Sequence, residues 1–475
     1  MAVLHPVDQR RWTDTALSPG ERADALLAAM SLEEKVAQLG SVWKGFAVEA
    51  TGDVAPMQEV FAAGSRPFDD AVRYGLGQLT RVFGTRPVTV EEGRARVVEL
   101  QRAVMSGSRF GIPAIVHEEC LTGFTTLGAT VYPTSLAWAA TFDPALVERM
   151  SAAIGADMRA VGVQQGLSPV LDVVRDYRWG RVEETMGEDP YLVAMLGSAY
   201  VRGLEQQGIV ATLKHFVGYS ASRAARNHAP VAMGPRELRE IMLVPFETAI
   251  RSGGARSVMN SYTDIDGVPV GADPALLTGV LRDEWGFEGT VVSDYWSVPF
   301  LESMHRVAAS PAEAGALALA AGIDVELPDA IGFHDGLIEL VRAGRVPEEL
   351  VDRAARRVLR QKAELGLLDP DWTPRRPSPR ATASTSTRRA TGPSPASSPR
   401  RRSCCSPTTP ACCRSVSAPP RAGSPSWDPA PTTRRRSWAA TPTPTTSSAS
   451  SPSTGSAWSR TRCGRPCALN CRTTP

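Results

Sequence analysis

The first 372 residues hold a single cysteine, Cys120, and no His/Cys pair at metal-ligating spacing. That excludes a disulfide framework and leaves no recognisable zinc motif to organise this part of the chain, which suits a reducing compartment. No glycine-rich phosphate loop or dinucleotide fingerprint opens a helix, so neither a cofactor nor a metal is expected. No run of about 18 apolar residues occurs, and the segment Met1–Arg10 lacks the apolar core of a signal peptide. The expectation is a soluble, cytoplasmic protein without a membrane partner.

The absences are sharper after Trp372. Residues 373–475 contain no Glu, Lys, Ile, Phe, Tyr or Met, and Val416 and Leu469 are their only branched aliphatics. A segment of this composition cannot bury enough apolar surface to offset its chain entropy and is expected to be a disordered, low-complexity tail. It carries 17 Arg against one acidic residue, Asp428, whereas residues 1–372 carry 35 basic and 49 acidic residues, a net charge of −14. The overall +2 therefore averages two unlike segments. An acidic body argues against nucleic acid as a partner, because neutralising phosphates needs clustered cations. The tail arginines are scattered among Ser, Pro and Thr without the aromatics of a single-strand binder. Seven of the eight cysteines lie there, at spacings that match no tetrahedral zinc site.

What is present in residues 1–372 is an alternation of short apolar runs with helical patterns. Ser18-Pro19-Gly20-Glu21 and Ser31-Leu32-Glu33-Glu34 each combine a capping serine with a glutamate three residues on, which predicts two helix starts. Strand candidates recur at Gly77–Thr80, Ala114–His117, Leu167–Leu171, Ala211–His215, Ser257–Ser261, Thr290–Ser293 and Ile323–Val325. They are short and apolar, as expected of parallel strands covered on both faces. A closing helix over residues 347–365 ends at Gly366. The reading is an α/β fold of the TIM-type (β/α)8 barrel kind over residues 1–372, with seven strands identified and the eighth not.

The strand ends are unusually polar. His117-Glu118-Glu119 follows the second candidate, and Asp172, Arg175, Asp176 and Arg181 follow the third. Lys214-His215 ends the fourth, Asn260-Ser261-Tyr262 the fifth, Asp294 the sixth, and Asp324 with Glu326 the seventh. Parallel barrels build active sites at the carboxyl ends of their strands. Carboxylates, cations and a rim of Trp179, Tyr295 and Trp296 suit a polyhydroxylated ligand, whose hydroxyls need donors and acceptors while its ring faces stack on aromatics. Asp172, Asp176, Asp324 and Glu326 are read as scaffold ion pairs.

Four motifs together resemble the N-terminal barrel of glycoside hydrolase family 3: Ser31-Leu-Glu-Glu-Lys-Val-Ala-Gln38, the stretch from Ser168 to Pro190, Lys214-His-Phe-Val-Gly218 and Val292-Ser-Asp-Tyr295. The match spans residues 18–368 in the family's order. It implies a retaining, exo-acting β-glycosidase of β-glucosidase or β-xylosidase type, acting on a small oligosaccharide or an aryl β-glycoside. In the double displacement that the resemblance implies, Asp294 is the nucleophile. Glu119, Arg181, Lys214, His215 and Tyr262 hold the sugar where the bond breaks, and Trp296 shapes the adjacent subsite. An attacking aspartate must be ionised, and Arg181, Lys214 or a protonated His215 is expected to hold its pKa down. The sequence leaves the sugar and the oligomeric state open.

The departures matter equally. In the branch of the family that cleaves N-acetylated sugars, an Asp-x-His dyad follows the Lys-His strand, but here Arg226 stands two residues before His228. The remaining branches take an acid/base glutamate from a second, sandwich-like α/β domain, and residues 373–475 contain none. A one-base shift of a GC-rich reading frame near Trp372 accounts for the tail composition. Shifted back by one base, residues 438–448 permit a stretch that resembles second-domain sequence. The alternatives are thus an active β-glycosidase and a truncated sugar-binding barrel without its general acid. On this reading Thr373–Pro475 is protease-sensitive and lacks protected amides; a protected core there by hydrogen exchange would overturn it.

Overall fold

The computed structural model describes residues 8–44 and 66–374. The expectation of a disordered tail therefore lies outside the described residues from Arg375 onward. Helix starts follow the local chemistry: Ser18 with Glu21, Ser31 with Glu34 and Thr89 with Glu92 each form a reciprocal capping box. Each box satisfies donors that the first helical turn leaves without partners.

A curled parallel sheet of seven strands organises these residues. In order it comprises β1 (Ser41–Val42), β2 (Gln78–Thr80), β3 (Ile115–Glu118), β4 (Gln165–Gly166), β5 (Val210–Phe216), β6 (Ser257–Asn260) and β9 (Thr290–Val292), with a hairpin of β7 (Asp264–Ile265) and β8 (Val268–Pro269) inserted before β9. Every strand residue of the large sheet is buried. Helices such as Val90–Gly107, Pro144–Ala160, Pro190–Gln206 and Glu348–Glu364 pack around it through a large apolar cluster that includes Val97, Ile154, Leu204 and Val358.

Three points depart from the sequence reading. The strand read at Leu167–Leu171 lies earlier, at Gln165–Gly166; after it, Pro169 has no N–H to donate, and pairing resumes as a single bridge between Val170 and Lys214. β1 was not among the candidates, because two residues are too few to show a pattern. The candidate Ile323–Val325 forms no regular strand but one parallel bridge, Val292 to Val325. Its neighbours still hydrogen-bond both ways. Asp324 N–H donates to the Val291 carbonyl at 2.8 Å, and Glu326 N–H donates to the Leu39 carbonyl at 2.9 Å, just before β1.

The same segment carries a buried charge cluster. The Asp324 carboxylate accepts from Arg282 Nη2 at 2.9 Å, Arg357 Nη1 at 2.9 Å and Val291 N–H at 2.8 Å. Glu326, read as an ion pair, instead accepts the N–H groups of Ile331, Gly332 and Phe333, and burial pushes its carboxyl up to about 7. Removing one partner of a buried pair costs about 3–5 kcal/mol because the other charge stays uncompensated. Asp324→Asn strands Arg282 and is expected to lower the unfolding free energy measured in urea by that amount at an unchanged slope; a loss below about 1 kcal/mol would show that the cluster does not hold this edge of the sheet.

Candidate active site

Asp294 stands just beyond the carboxyl end of β9, 8% exposed. Its Oδ1 accepts the Tyr295 N–H at 2.7 Å, and its own N–H donates to Asn260 Oδ1 at 3.2 Å. Oδ2 has no hydrogen-bond partner and faces His215 Nε2 at 3.6 Å, too far for a hydrogen bond. Burial pushes this carboxyl up to about 6, against the opposing pull of Arg181, Lys214 and the Tyr262 hydroxyl. The expectation that cations would hold it down is therefore corrected: desolvation outweighs them, although the group remains mainly ionised at pH 7.

β5 delivers the next two side chains to the same place. Lys214 Nζ donates to Glu119 Oε2 at 3.0 Å and Oε1 at 3.3 Å. Burial alone would raise the Glu119 carboxyl, but Lys214 and Arg81 hold it below its ordinary value. The His215 ring is kept neutral, because burial and the charges of Arg181 and Lys214 lower its pKa well below the usual value. The same burial and neighbouring charges disfavour a protonated His215 as the partner of Asp294. Its Nδ1 lies 2.8 Å from Asp172 Oδ2, which also accepts the His215 backbone N–H at 3.1 Å. With Nδ1–H donating there, Nε2 presents a lone pair to the cleft.

Arg181 is held in a bidentate pair, Nε and Nη2 each 2.7 Å from a different oxygen of Glu184, with its guanidinium 5.5 Å from the Tyr219 ring centre. Tyr262 donates its hydroxyl to the Tyr295 carbonyl at 2.9 Å, and its ring lies 4.3 Å from that of His228. The structure therefore brings Asp294, Glu119, Arg181, Lys214, His215 and Tyr262 together. Trp296 begins the helix Ser297–Ser303 and is 9% exposed, packed 6.2 Å from Trp43 and against Phe300. Trp179, read as part of the rim, is buried beneath Tyr219 at 5.1 Å.

Several contributors escaped the sequence reading. Asp172 was read as a scaffold ion pair but orients His215, and burial pushes it up to about 7. Its signal was a carboxylate two residues after Val170, the residue that bridges to Lys214. Arg81 follows β2 with a left-handed φ of 42°, its guanidinium 5.5 Å from the Trp43 ring centre. Nothing in a lone arginine after a three-residue strand announces that. Of the two neighbouring glutamates, Glu118 turns away to accept the Phe83 N–H, and burial pushes it up to about 8. Asp176 pairs with Arg178 on the exposed loop at 2.6 Å.

Among the described residues, no group of three or more His, Cys, Asp or Glu could hold a metal ion. A cavity of about 360 Å³ opens at the amino ends of the strands, lined by Gln164, Glu205, Ile209, Arg256 and Trp372, and shares no residue with the Asp294 cluster. Convergent charge at the carboxyl ends thus marks the candidate site better than volume does.

The model of the glycosyl hydrolase family 3 N-terminal domain matches residues 31–361. A putative β-xylosidase of Formosa agariphila is 36% identical over 372 residues, covering 75% of this chain and 47% of that protein. A β-glucosidase of Rhizobium radiobacter is 36% identical over 53% of this chain and 30% of its own length. Among solved structures, a β-glucosidase from Erythrobacter marinus superposes with a TM-score of 0.68 at 39% identity, covering 79% of this chain and 49% of that one. A Listeria innocua β-glucosidase in complex with glucose gives 0.66 at 29% identity, over 77% and 49% respectively; other structures of that enzyme hold laminaribiose or isofagomine. The chain spans about half the length of the curated relatives it matches.

The elevated pKa of Asp294 fixes the sign of a stability effect. A carboxyl at about 6 in the fold and 3.8 unfolded contributes stability that is complete below pH 3.8 and lost as pH rises through 6. Asp294→Asn is therefore expected to resist urea better than the unmodified protein at pH 7, with the gain vanishing near pH 4. A variant less stable at pH 7 would contradict this electrostatic picture.

Proposed function

The chain belongs to glycoside hydrolase family 3, and we propose that it is a retaining, exo-acting β-glycosidase of β-glucosidase or β-xylosidase type. The observation that carries this reading is Asp294 Oδ2, a buried carboxylate oxygen without a partner among Arg181, Lys214 and His215. In the reaction, Oδ2 attacks the anomeric carbon of a terminal β-linked sugar. The bond to the leaving oxygen breaks with its electron pair, and a glycosyl–Asp294 ester forms. Glu119, Lys214, His215 and Arg181 bind the hydroxyls, and Tyr262 supports the carboxylate. Substrates would be small oligosaccharides or aryl β-glycosides, in keeping with relatives named as β-xylosidases and β-glucosidases. Residues 1–372 would constitute the barrel. Support for an eighth position closing it comes from the hydrogen bonds of Asp324 and Glu326 to β9 and to the chain entering β1.

A second reading, a sugar-binding barrel impaired in turnover, is favoured by one observation. Among the described residues, the carboxylates around Asp294 are already engaged: Glu119 by Lys214, Glu184 by Arg181 and Asp172 by His215. General acid catalysis contributes ~10² to 10⁴-fold, most for a poor leaving group such as another sugar.

One experiment separates the two. On the 475-residue chain, hydrolysis of cellobiose, xylobiose and the corresponding dinitrophenyl β-glycosides is measured with and without azide. The active β-glycosidase hydrolyses disaccharides steadily without azide, whereas the impaired reading predicts near inertness toward disaccharides and a burst of dinitrophenolate. Azide should then restore turnover as the β-glycosyl azide, with Asp294→Ala abolishing all of it. Rapid disaccharide hydrolysis without azide would discard the impaired reading, and more than a few per cent of activity in Asp294→Ala would place the nucleophile elsewhere.

A further inference from the structure

The concave interior of the sheet holds a hydrogen-bonded chain that the proposed reaction does not use. Tyr295 Oη lies 3.1 Å from His117 Nε2, and His117 Nδ1 lies 2.7 Å from Gln78 Oε1. Gln78 Nε2 donates to Gln165 Oε1 at 3.1 Å, and Gln165 Nε2 donates to Thr212 Oγ1 at 2.8 Å and Ser257 Oγ at 3.1 Å. Gln78, His117, Gln165, Thr212 and Ser257 are all fully buried. The chain thus runs from β9's end through β3, β2 and β4 to β5 and β6.

Its direction follows from the amide orientations. Gln78 presents a carbonyl oxygen to His117, and a carbonyl oxygen only accepts, so the imidazole proton sits on Nδ1. Burial, with Arg81 and Lys214 nearby, pushes the His117 ring down to about 3 and keeps it neutral. Nε2 is then an acceptor, and the Tyr295 hydroxyl donates inward, away from the cleft. Tyr295 is held at two further points: its carbonyl accepts from Tyr262 at 2.9 Å, and its N–H donates to Asp294 Oδ1 at 2.7 Å. A ring that loses its inner anchor shifts the backbone N–H that orients the carboxylate.

We propose that His117 is a positioning residue for Asp294, acting through Tyr295: the imidazole anchors the phenol, and the Tyr295 N–H sets the carboxylate plane so that Oδ2 faces the anomeric carbon. The proposal rests on the reading of Asp294 as nucleophile. A merely space-filling His117 would change stability without separating rate from affinity, whereas a positioning residue lowers the rate of ester formation at nearly constant sugar binding.

The test uses the full chain and two independent readouts. In ¹⁵N-histidine-labelled protein, with His117→Gln to assign the signal, His117 is expected as the Nδ1–H tautomer, unchanged from about pH 5 to 8. An Nε2–H tautomer, or titration in that range, overturns the proposal. In the second readout, Tyr295→Phe and His117→Gln should each slow the dinitrophenolate burst about tenfold while isofagomine affinity changes less than about threefold. The double variant should lose no more than either single one. Losses that multiply to about a hundredfold, or that appear in isofagomine affinity, overturn it also. Tyr295→Phe removes one oxygen, so it remains informative if His117→Gln fails to fold. An unmodified chain that releases no dinitrophenolate, in a burst or in steady turnover, would sink the nucleophile reading instead, and the tautomer alone would then decide whether His117 anchors Tyr295.

Discussion

Keeping one carboxylate charged where there is almost no water is the constraint around which the mouth of this sheet is built. Burial raises Asp294 to about 6, and the opposing field of Arg181 and Lys214 prevents a larger rise. Neither cation is free to collapse onto it. Arg181 is tied to Glu184 and Lys214 to Glu119, so their charge reaches Asp294 without a direct contact that would occupy Oδ2. An oxygen that is charged, buried and without a partner is costly in a fold and useful in a nucleophile.

The same logic governs the residues behind the first layer. Asp172 fixes the ring of His215 from one side, and the inner hydrogen-bonded chain fixes Tyr295 from below. Buried polar groups of this kind are tolerated when each finds a partner. Satisfied in this way, they hold rotamers more tightly than an apolar interior would. The polar interior also corrects the impression of uniformly apolar strands: Gln78, His117, Gln165, Thr212, Ser257 and Thr290 all lie within the sheet, and each is hydrogen-bonded.

The edge of the sheet is less regular than its centre. β1 has two residues, and the Ile323–Val325 segment bridges rather than pairs regularly. That irregularity coincides with the Asp324 and Glu326 carboxylates, which spend their acceptors on Arg282, Arg357 and three consecutive backbone N–H groups. Side-chain hydrogen bonds there do part of what ladder bonds do elsewhere.

What the sequence determined by itself were the features set by local chemistry and by short motifs. Capping boxes at Ser18 and Ser31 define helix starts because the bonds close within three residues. Short runs rich in apolar residues mark the central strands because both faces are buried. The family resemblance pointed to Asp294 and to five residues that the structure assembles around it, Glu119, Arg181, Lys214, His215 and Tyr262. Only the tertiary structure decided quantities that depend on distances between strands. It shows that burial outweighs cations at Asp294, that His215 is neutral, and that Glu119 rather than Glu118 meets Lys214. Asp172 and His117 were invisible as supports for the same reason: each acts on a residue 43 or 178 positions away, and no local pattern encodes a hydrogen bond closed by the curl of a sheet.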